Sequence, residues 1–287
     1  MKSISKSGFG AGIIIFVAAA IIALPVRTLQ YFTVLESDTG FFSKIDWSVY
    51  VLGVTATAAI LAFLILGFIK RKKIDYSLEV TKRPGQGILC FTAAAGILMS
   101  TIGVVLELMN YDSFTSDNKT ESIILGAQAV FALFSAVYLV AMGSSFVSGK
   151  TNGSEYRLIS LSPVIWSIFR LVLRFTRTIS YIKVSDLMLE MVMIVFFIMF
   201  FMAFAQVNAR VDAEKKEWKI AAYGLSGALL ALICFVPRFI VMITGNTDLL
   251  HDQSPAEYCD FGVALLMIST VLTRNTVKIQ QNTSTEE

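Results

Sequence analysis

The sequence predicts an all-α fold: a polytopic transmembrane bundle of about eight spanning helices, with both termini cytoplasmic. Three observations carry that prediction. Of the 287 residues, 55% are hydrophobic and only 16% charged, whereas an ordinary soluble domain is about 25% charged. The apolar residues fall in runs of roughly 20, long enough to cross a hydrocarbon core of ~30 Å. The cations between the runs crowd into alternate connections, as the positive-inside rule requires. The runs are continuously apolar, not alternating, so a transmembrane barrel is excluded. Helices then remain as the way to satisfy the backbone in lipid.

The first run covers residues 9–31 and follows Lys2 and Lys6. Those cations resemble the start of a secretory signal, but Ala23-Leu24-Pro25-Val26 offers no small-x-small cleavage site, so a retained helix is expected. The second run, 47–69, ends at Lys70-Arg71-Lys72-Lys73. This basic cluster in the stretch 70–86 is expected to touch anionic lipid headgroups on the cytoplasmic side. The third and fourth runs are 87–109 and 123–146. The fifth, 161–181, is interrupted by Arg170, Arg174 and Arg177, and 186–206 follows it. The seventh is 220–244, and the eighth, 260–272, is short. Small residues in the third and seventh, Ala93-Ala94-Ala95-Gly96 and Gly224-x-x-Gly227, are expected to let helices pack closely.

Loop charge tests the two weaker runs. With the N-terminus inside and all eight runs crossing, sixteen cations lie in inside stretches. Only Lys44, Lys119 and Lys183 lie outside. If the fifth run did not cross, Lys215, Lys216 and Lys219 would move to the outside. The longest connection, 70–86, has 17 residues. No soluble domain is therefore expected, and any activity must reside in the bundle or its short loops. The expected location is a bacterial cytoplasmic membrane. The net charge of +3 lacks the concentrated basic face of a nucleic-acid binder.

Ionisable residues within a spanning helix cost ~2.5–3.5 kcal/mol each at the centre on insertion scales, so their positions are informative. Arg170, Arg174 and Arg177 are spaced i, i+4, i+7 and share about 60° of arc. That stripe should face the bundle interior. Arg170 falls near mid-membrane, and the sequence gives it no evident acidic partner at that depth. Glu190 lies on the next helix, antiparallel to the fifth, within reach of Arg174 or Arg177. Arg27, Arg238, Glu107, Asp186, Glu257 and Asp260 project to the same outer half or its edge. One reading is an ion-pair network that locks the helices together. The other is an outward-facing cavity in which Arg170, Arg174, Arg177 and Arg238, with Glu190 and Glu107, hold an anionic ligand in bidentate fashion.

Other motifs carry little. The single histidine, His251, stands near Asp248 and Asp252, short of the ligand set a zinc site requires. Cys90, Cys234 and Cys259 are far apart, form no CxxC pair and read as small apolar residues. Asp260-Phe261-Gly262 spells a kinase tripeptide without the loops that give it meaning. Gly8-x-Gly10-x-Gly12 lacks the strand a dinucleotide site needs. No catalytic residue, metal centre or cofactor is expected.

Several stretches together resemble an uncharacterised multi-pass membrane protein family of Clostridia and other Firmicutes. They are Leu29 to Phe42, Pro163 to Arg170 continuing through Arg174 to Ser180, Val184 to Asp186, Phe201 to Gln206, Cys234 to Arg238 and Ser254 to Asp260. The resemblance covers the whole chain. It implies a bacterial host and a membrane location, and it transfers no activity and no catalytic residue. The expectation is thus a non-enzymatic structural, regulatory or sensory membrane component. The alternatives are a small-solute anion transporter or binding component built on the arginine cluster, and a membrane-embedded enzyme. The expected partners are the lipid bilayer and its anionic headgroups, and no nucleic acid.

Overall fold

The computed structural model describes residues 10–34, 46–70, 82–109, 118–149, 158–177, 184–208, 213–246, 249–250 and 257–284. For 70, 118–119, 177, 184–186, 213–217 and 274–284 the backbone alone is described. Among these residues the chain forms eight α-helices. They are α1 (Gly10–Thr33), α2 (Trp47–Lys70), α3 (Pro84–Met109), α4 (Asn118–Ser148), α5 (Ser162–Arg177), α6 (Val184–Asn208), α7 (Ala213–Ile243) and α8 (Tyr258–Ser284). A 3-10 turn, Ile159–Leu161, leads into α5. No strand occurs among the described residues.

Among the described residues, seven helices carry a stretch long and apolar enough to cross a membrane. In α8 the apolar part is shorter, Tyr258–Thr273. The protein is a multi-pass membrane protein. Its outer faces agree with this: on α2, Val54, Leu61, Ile65 and Phe68 all point away from the bundle, at spacings of two, three and four turns. Such a contiguous apolar face would be an anomaly in water. The opposite face of α2 buries Leu52, Ala56, Ala59 and Phe63.

Several helices outrun their apolar segments. The sequence places the eighth run at 260–272, but α8 continues to Ser284. No glycine or proline interrupts Thr273 to Ser284, so the helix continues after the hydrocarbon-compatible part ends. α7 likewise starts at Ala213, seven residues ahead of the apolar run, through the good helix formers Glu214, Lys215, Lys216 and Glu217. α5 is described only as far as Arg177, so residues 178–181 of the predicted fifth run lie outside the described residues.

Packing follows a ring. α3 packs on α4, α4 on α5, α5 on α6, α6 on α7, α7 on α8, and α8 closes back on α3. α1 and α2 pack on each other and both lie against α7, outside the ring. α7 is accordingly the most buried helix. Phe197, Phe200, Phe201 and Phe204 of α6, all buried, fill the ring interior beside Leu225, Leu229 and Met267.

The small residues act where two backbones meet. A Cβ placed on Gly96 of α3 would lie 2.8 Å from the Tyr258 carbonyl oxygen, and one on Gly262 of α8 would lie 2.9 Å from Ala93 Cα. α3 and α4 approach as closely, with Gly87 facing the Gly143 carbonyl. Gly224 and Gly227 of α7 admit Phe200, Phe196 and Met267. The close-packing role expected for the small residues of α3 and α7 is therefore present. All three cysteines are buried as free thiols.

Candidate functional site

The ionisable residues meet at one end of the bundle, where α1, α5 and α7 finish and α6 and α8 begin. On α5 the stripe spacing brings Arg170 and Arg174 to the inward face. Arg170 is 3% exposed and forms a two-pronged contact with Asp260 of α8: Nη1 to Oδ1 at 2.5 Å and Nη2 to Oδ2 at 2.9 Å. Its Nη2 also donates to Glu257 Oε2 at 2.5 Å. Arg174 then joins the other oxygen of Glu257, Nη2 to Oε1 at 2.6 Å, and reaches Glu190 Oε2 of α6 from Nε at 3.2 Å. Arg238 of α7 pairs through Nη1 with Glu190 Oε1, and its Nε donates to Tyr31 Oη of α1 at 3.1 Å. Arg27 sits over the same tyrosine, its guanidinium carbon 5.1 Å from the ring centroid, and donates from Nη1 to Gln30 Oε1 at 2.7 Å.

Charges thus alternate along one chain of contacts: Asp260, Arg170, Glu257, Arg174, Glu190, Arg238. The six come from four of the ring helices, with Glu257 the residue immediately before α8. α5 and α8 share no extended backbone packing, so the two arginines cross the ring to connect them. Planar guanidinium forks suit such two-pronged carboxylate contacts. Trp166, buried one turn before Arg170, lies under it with the guanidinium carbon 5.8 Å from the ring.

The expectation that Arg170 lacks an acidic partner at its depth is wrong. Asp260 and Glu257 both reach it. Depth counted along each helix separately ignores how far a long side chain extends, and Glu257 falls just ahead of the predicted eighth run, 260–272. The i, i+3 spacing of Glu257 and Asp260 places both on one face, and that spacing was the available signal. The reach of Arg174 to Glu190 is as expected. Glu107 stands half-buried near the end of α3. The Arg177 and Asp186 side chains and all of His251 lie outside the described residues. Tyr31 and Gln30 had no place in the sequence reading, although Arg27, Gln30 and Tyr31 continue the buried Ala19 and Ala23 face of α1.

Cys259 Sγ lies 3.4 Å from Glu257 Oε2 and 3.7 Å from Asp260 Oδ1. A thiol with two carboxylates is a formal metal-ligand set, but here the Arg170 guanidinium already occupies both carboxylates. Burial opposes the charge on Glu257. The guanidinia of Arg170 and Arg174 outweigh it and hold the carboxyl below its usual range.

Comparison with known proteins finds no match. No family model, curated protein or solved structure matches this chain. The geometry must therefore speak for itself. In it, the two deep arginines of α5 are committed to carboxylates from other helices, and their forks do not present an open anion cradle.

A second polar contact lies towards the other end of the bundle. Gln86 of α3 donates to Thr270 Oγ1 at 3.4 Å and accepts from Thr273 Oγ1 at 3.3 Å, both on α8. It ties the same two helices that Gly96 and Gly262 bring together.

Proposed function

We propose that the protein is a non-enzymatic component of a bacterial cytoplasmic membrane, of structural, regulatory or sensory type, with both termini in the cytoplasm. In this reading the ion-pair network holds the outer end of the helix ring in one arrangement. The observation that carries it is the commitment of Arg170 and Arg174 to Asp260, Glu257 and Glu190. A transport site on those arginines would first have to displace carboxylates that are part of the fold. The same proposal has the basic stretch 70–86, of which residues 71–81 lie outside the described residues, meet anionic lipid headgroups; the excess of cations in its sequence favours this. The bacterial setting is part of the proposal and rests on the resemblance of the sequence stretches named above to a clostridial membrane family.

The test is Arg170→Gln in purified, detergent-solubilised protein. On this reading the substitution lowers the unfolding temperature by the same amount whatever anion is present. An anion that stabilises the native protein but loses its effect in Arg170→Gln overturns the locking role and restores the transport reading.

A further inference from the structure

The end of α2 and the start of α7 meet at the opposite end of the bundle from the ion-pair network. A Cβ placed on Gly67 of α2 would lie 2.9 Å from Ala222 Cβ and 3.0 Å from Trp218 Cε3 of α7. The next residue, Phe68, stands edge-on to Trp218, with ring centroids 6.5 Å apart. The apolar segments of the two helices stop at this same level: that of α2 ends at Ile69, and that of α7 begins at Trp218. The hydrocarbon edge therefore falls at the contact, with an indole at the interface level where tryptophan is enriched.

Basic positions converge here from both helices. Lys219 is half-buried and holds its Nζ 5.8 Å from the Trp218 ring centroid. At about 100° per residue, positions 215, 219 and 222 of α7 fall within about 60° of arc, so Lys215 and Lys219 share the register of Ala222, which meets α2. Position 217, a glutamate, falls on the opposite side of the helix. On α2, position 70, the last of the helix and a lysine, continues the buried register of Ala59, Phe63 and Gly67. Just inside this basic rim the surface is apolar: Ile65, Phe68 and Ile69 are all exposed. An occupant must suit both parts. A soluble anion makes no use of the apolar surface, and a neutral lipid makes little use of the lysines. An anionic phospholipid fits both, and basic pockets between helices on the cytoplasmic side are a known way of holding such headgroups.

We infer that the junction of α2 and α7 is a binding site for one anionic phospholipid, with its phosphate at the rim of Lys219, Lys215 and Lys70 and an acyl chain against Phe68 and Ile65. Trp218, between the lysine and the phenylalanine, sets the level of the headgroup. The inference rests on the cytoplasmic lipid contact proposed above and deepens it, replacing a diffuse attraction to the stretch 70–86 by a site with defined contacts on two helices. It is independent of the locking role of the α5 arginines.

Trp218 can report on its own site. Of the other two tryptophans, Trp166 is buried and Trp47 is exposed at the far end of α2, so Trp47→Phe leaves Trp218 as the lipid-facing fluorophore. This protein is reconstituted in phosphatidylcholine vesicles with a rising fraction of brominated phosphatidylglycerol, or of brominated phosphatidylcholine as the reference. Quenching of Trp218 should saturate at a low fraction of phosphatidylglycerol and rise only in proportion to the fraction of phosphatidylcholine. Lys219→Gln should lower the preference about fivefold, the factor that corresponds to ~1 kcal/mol per basic residue near an anionic surface, and Lys219→Arg should retain it. A fluorophore attached through Lys72→Cys reads contact of the basic stretch with anionic lipid independently of α7. Enrichment of phosphatidylglycerol at Lys72→Cys but not at Trp218 overturns the site and leaves the wider contact standing, whereas enrichment at neither overturns both. A Lys219→Gln protein that keeps the full preference also overturns the site.

Discussion

Glu190→Gln tests how much the network contributes to stability. Glu190 is 2% exposed and lies between Arg174 and Arg238, the latter itself 3% exposed. The amide keeps the volume and one acceptor but removes the charge, leaving two buried guanidinia facing a dipole. Breaking a buried pair by neutralising one partner costs ~3–5 kcal/mol, whereas an exposed pair is worth only ~0.2–1 kcal/mol. At about 2–4 °C per kcal/mol for a chain of this size class, the unfolding temperature should fall by roughly 6–20 °C. The three buried thiols provide the assay, because Cys90, Cys234 and Cys259 react with a fluorogenic maleimide only when the bundle opens. Removing both charges together, Glu190→Leu with Arg238→Met, should recover part of the loss, with a coupling of ~0.5–3 kcal/mol between the sites. A Glu190→Gln protein within about 1 kcal/mol of native, or strict additivity in the double variant, would refute the argument that these charges stabilise as a unit.

Three further outcomes follow from the same structure. Gly96→Ala and Gly262→Ala should each destabilise by ~1–3 kcal/mol through overpacking of the α3–α8 contact, while Gly53→Ala, with open space around it, should be neutral or stabilise by up to ~1 kcal/mol; equal effects would refute the close approach. The carboxyl of Glu257 is held below its usual range in the folded protein, so its stabilisation is full above the ordinary carboxylate value of ~4.3 and is lost as pH falls through the lower folded value. Unfolding temperature measured from pH 6 downward should decline on the acid side, and Glu257→Gln should flatten that decline. Cysteines introduced at Lys72 and Arg210 should label with membrane-impermeant maleimide only after intact cells are opened, and labelling from outside would reverse the orientation.

The helices were legible because the bilayer allows so few solutions. An unbroken apolar run in lipid must be a helix, and a run of about 20 is long enough to span the membrane. Their ends were less legible, because an apolar boundary and a helix boundary are different things. α7 begins in the polar segment Ala213 to Glu217, and α8 runs beyond Thr273. Lipid dictates the first boundary, and local helix propensity the second. The order of helices around the ring was not legible. It depends on contacts such as Gly96 with Tyr258 and Gly262 with Ala93, where residues more than 150 positions apart must fit at backbone distance.

The site was half legible for a related reason. Spacing along one helix gave the Arg170 and Arg174 stripe, because periodicity is a property of the chain. Which acid each arginine meets is a property of helix placement, and Asp260 could be assigned to Arg170 only once α8 was known to stand across the ring from α5. The same distinction governs function. An arginine stripe in a membrane helix is equally compatible with a ligand cradle and with a lock, and only the number of carboxylates within reach separates them. At Arg170 and Arg174 three carboxylates answer two guanidinia, so the stripe that first suggested an anion site is engaged by the fold itself. Among the described residues, the buried side-chain atoms without a hydrogen bond include Gln30 Nε2 on α1, Ser48 Oγ on α2 and Gln128 Oε1 on α4. None of these three side chains is charged, so none stands out in a scan for ionisable residues.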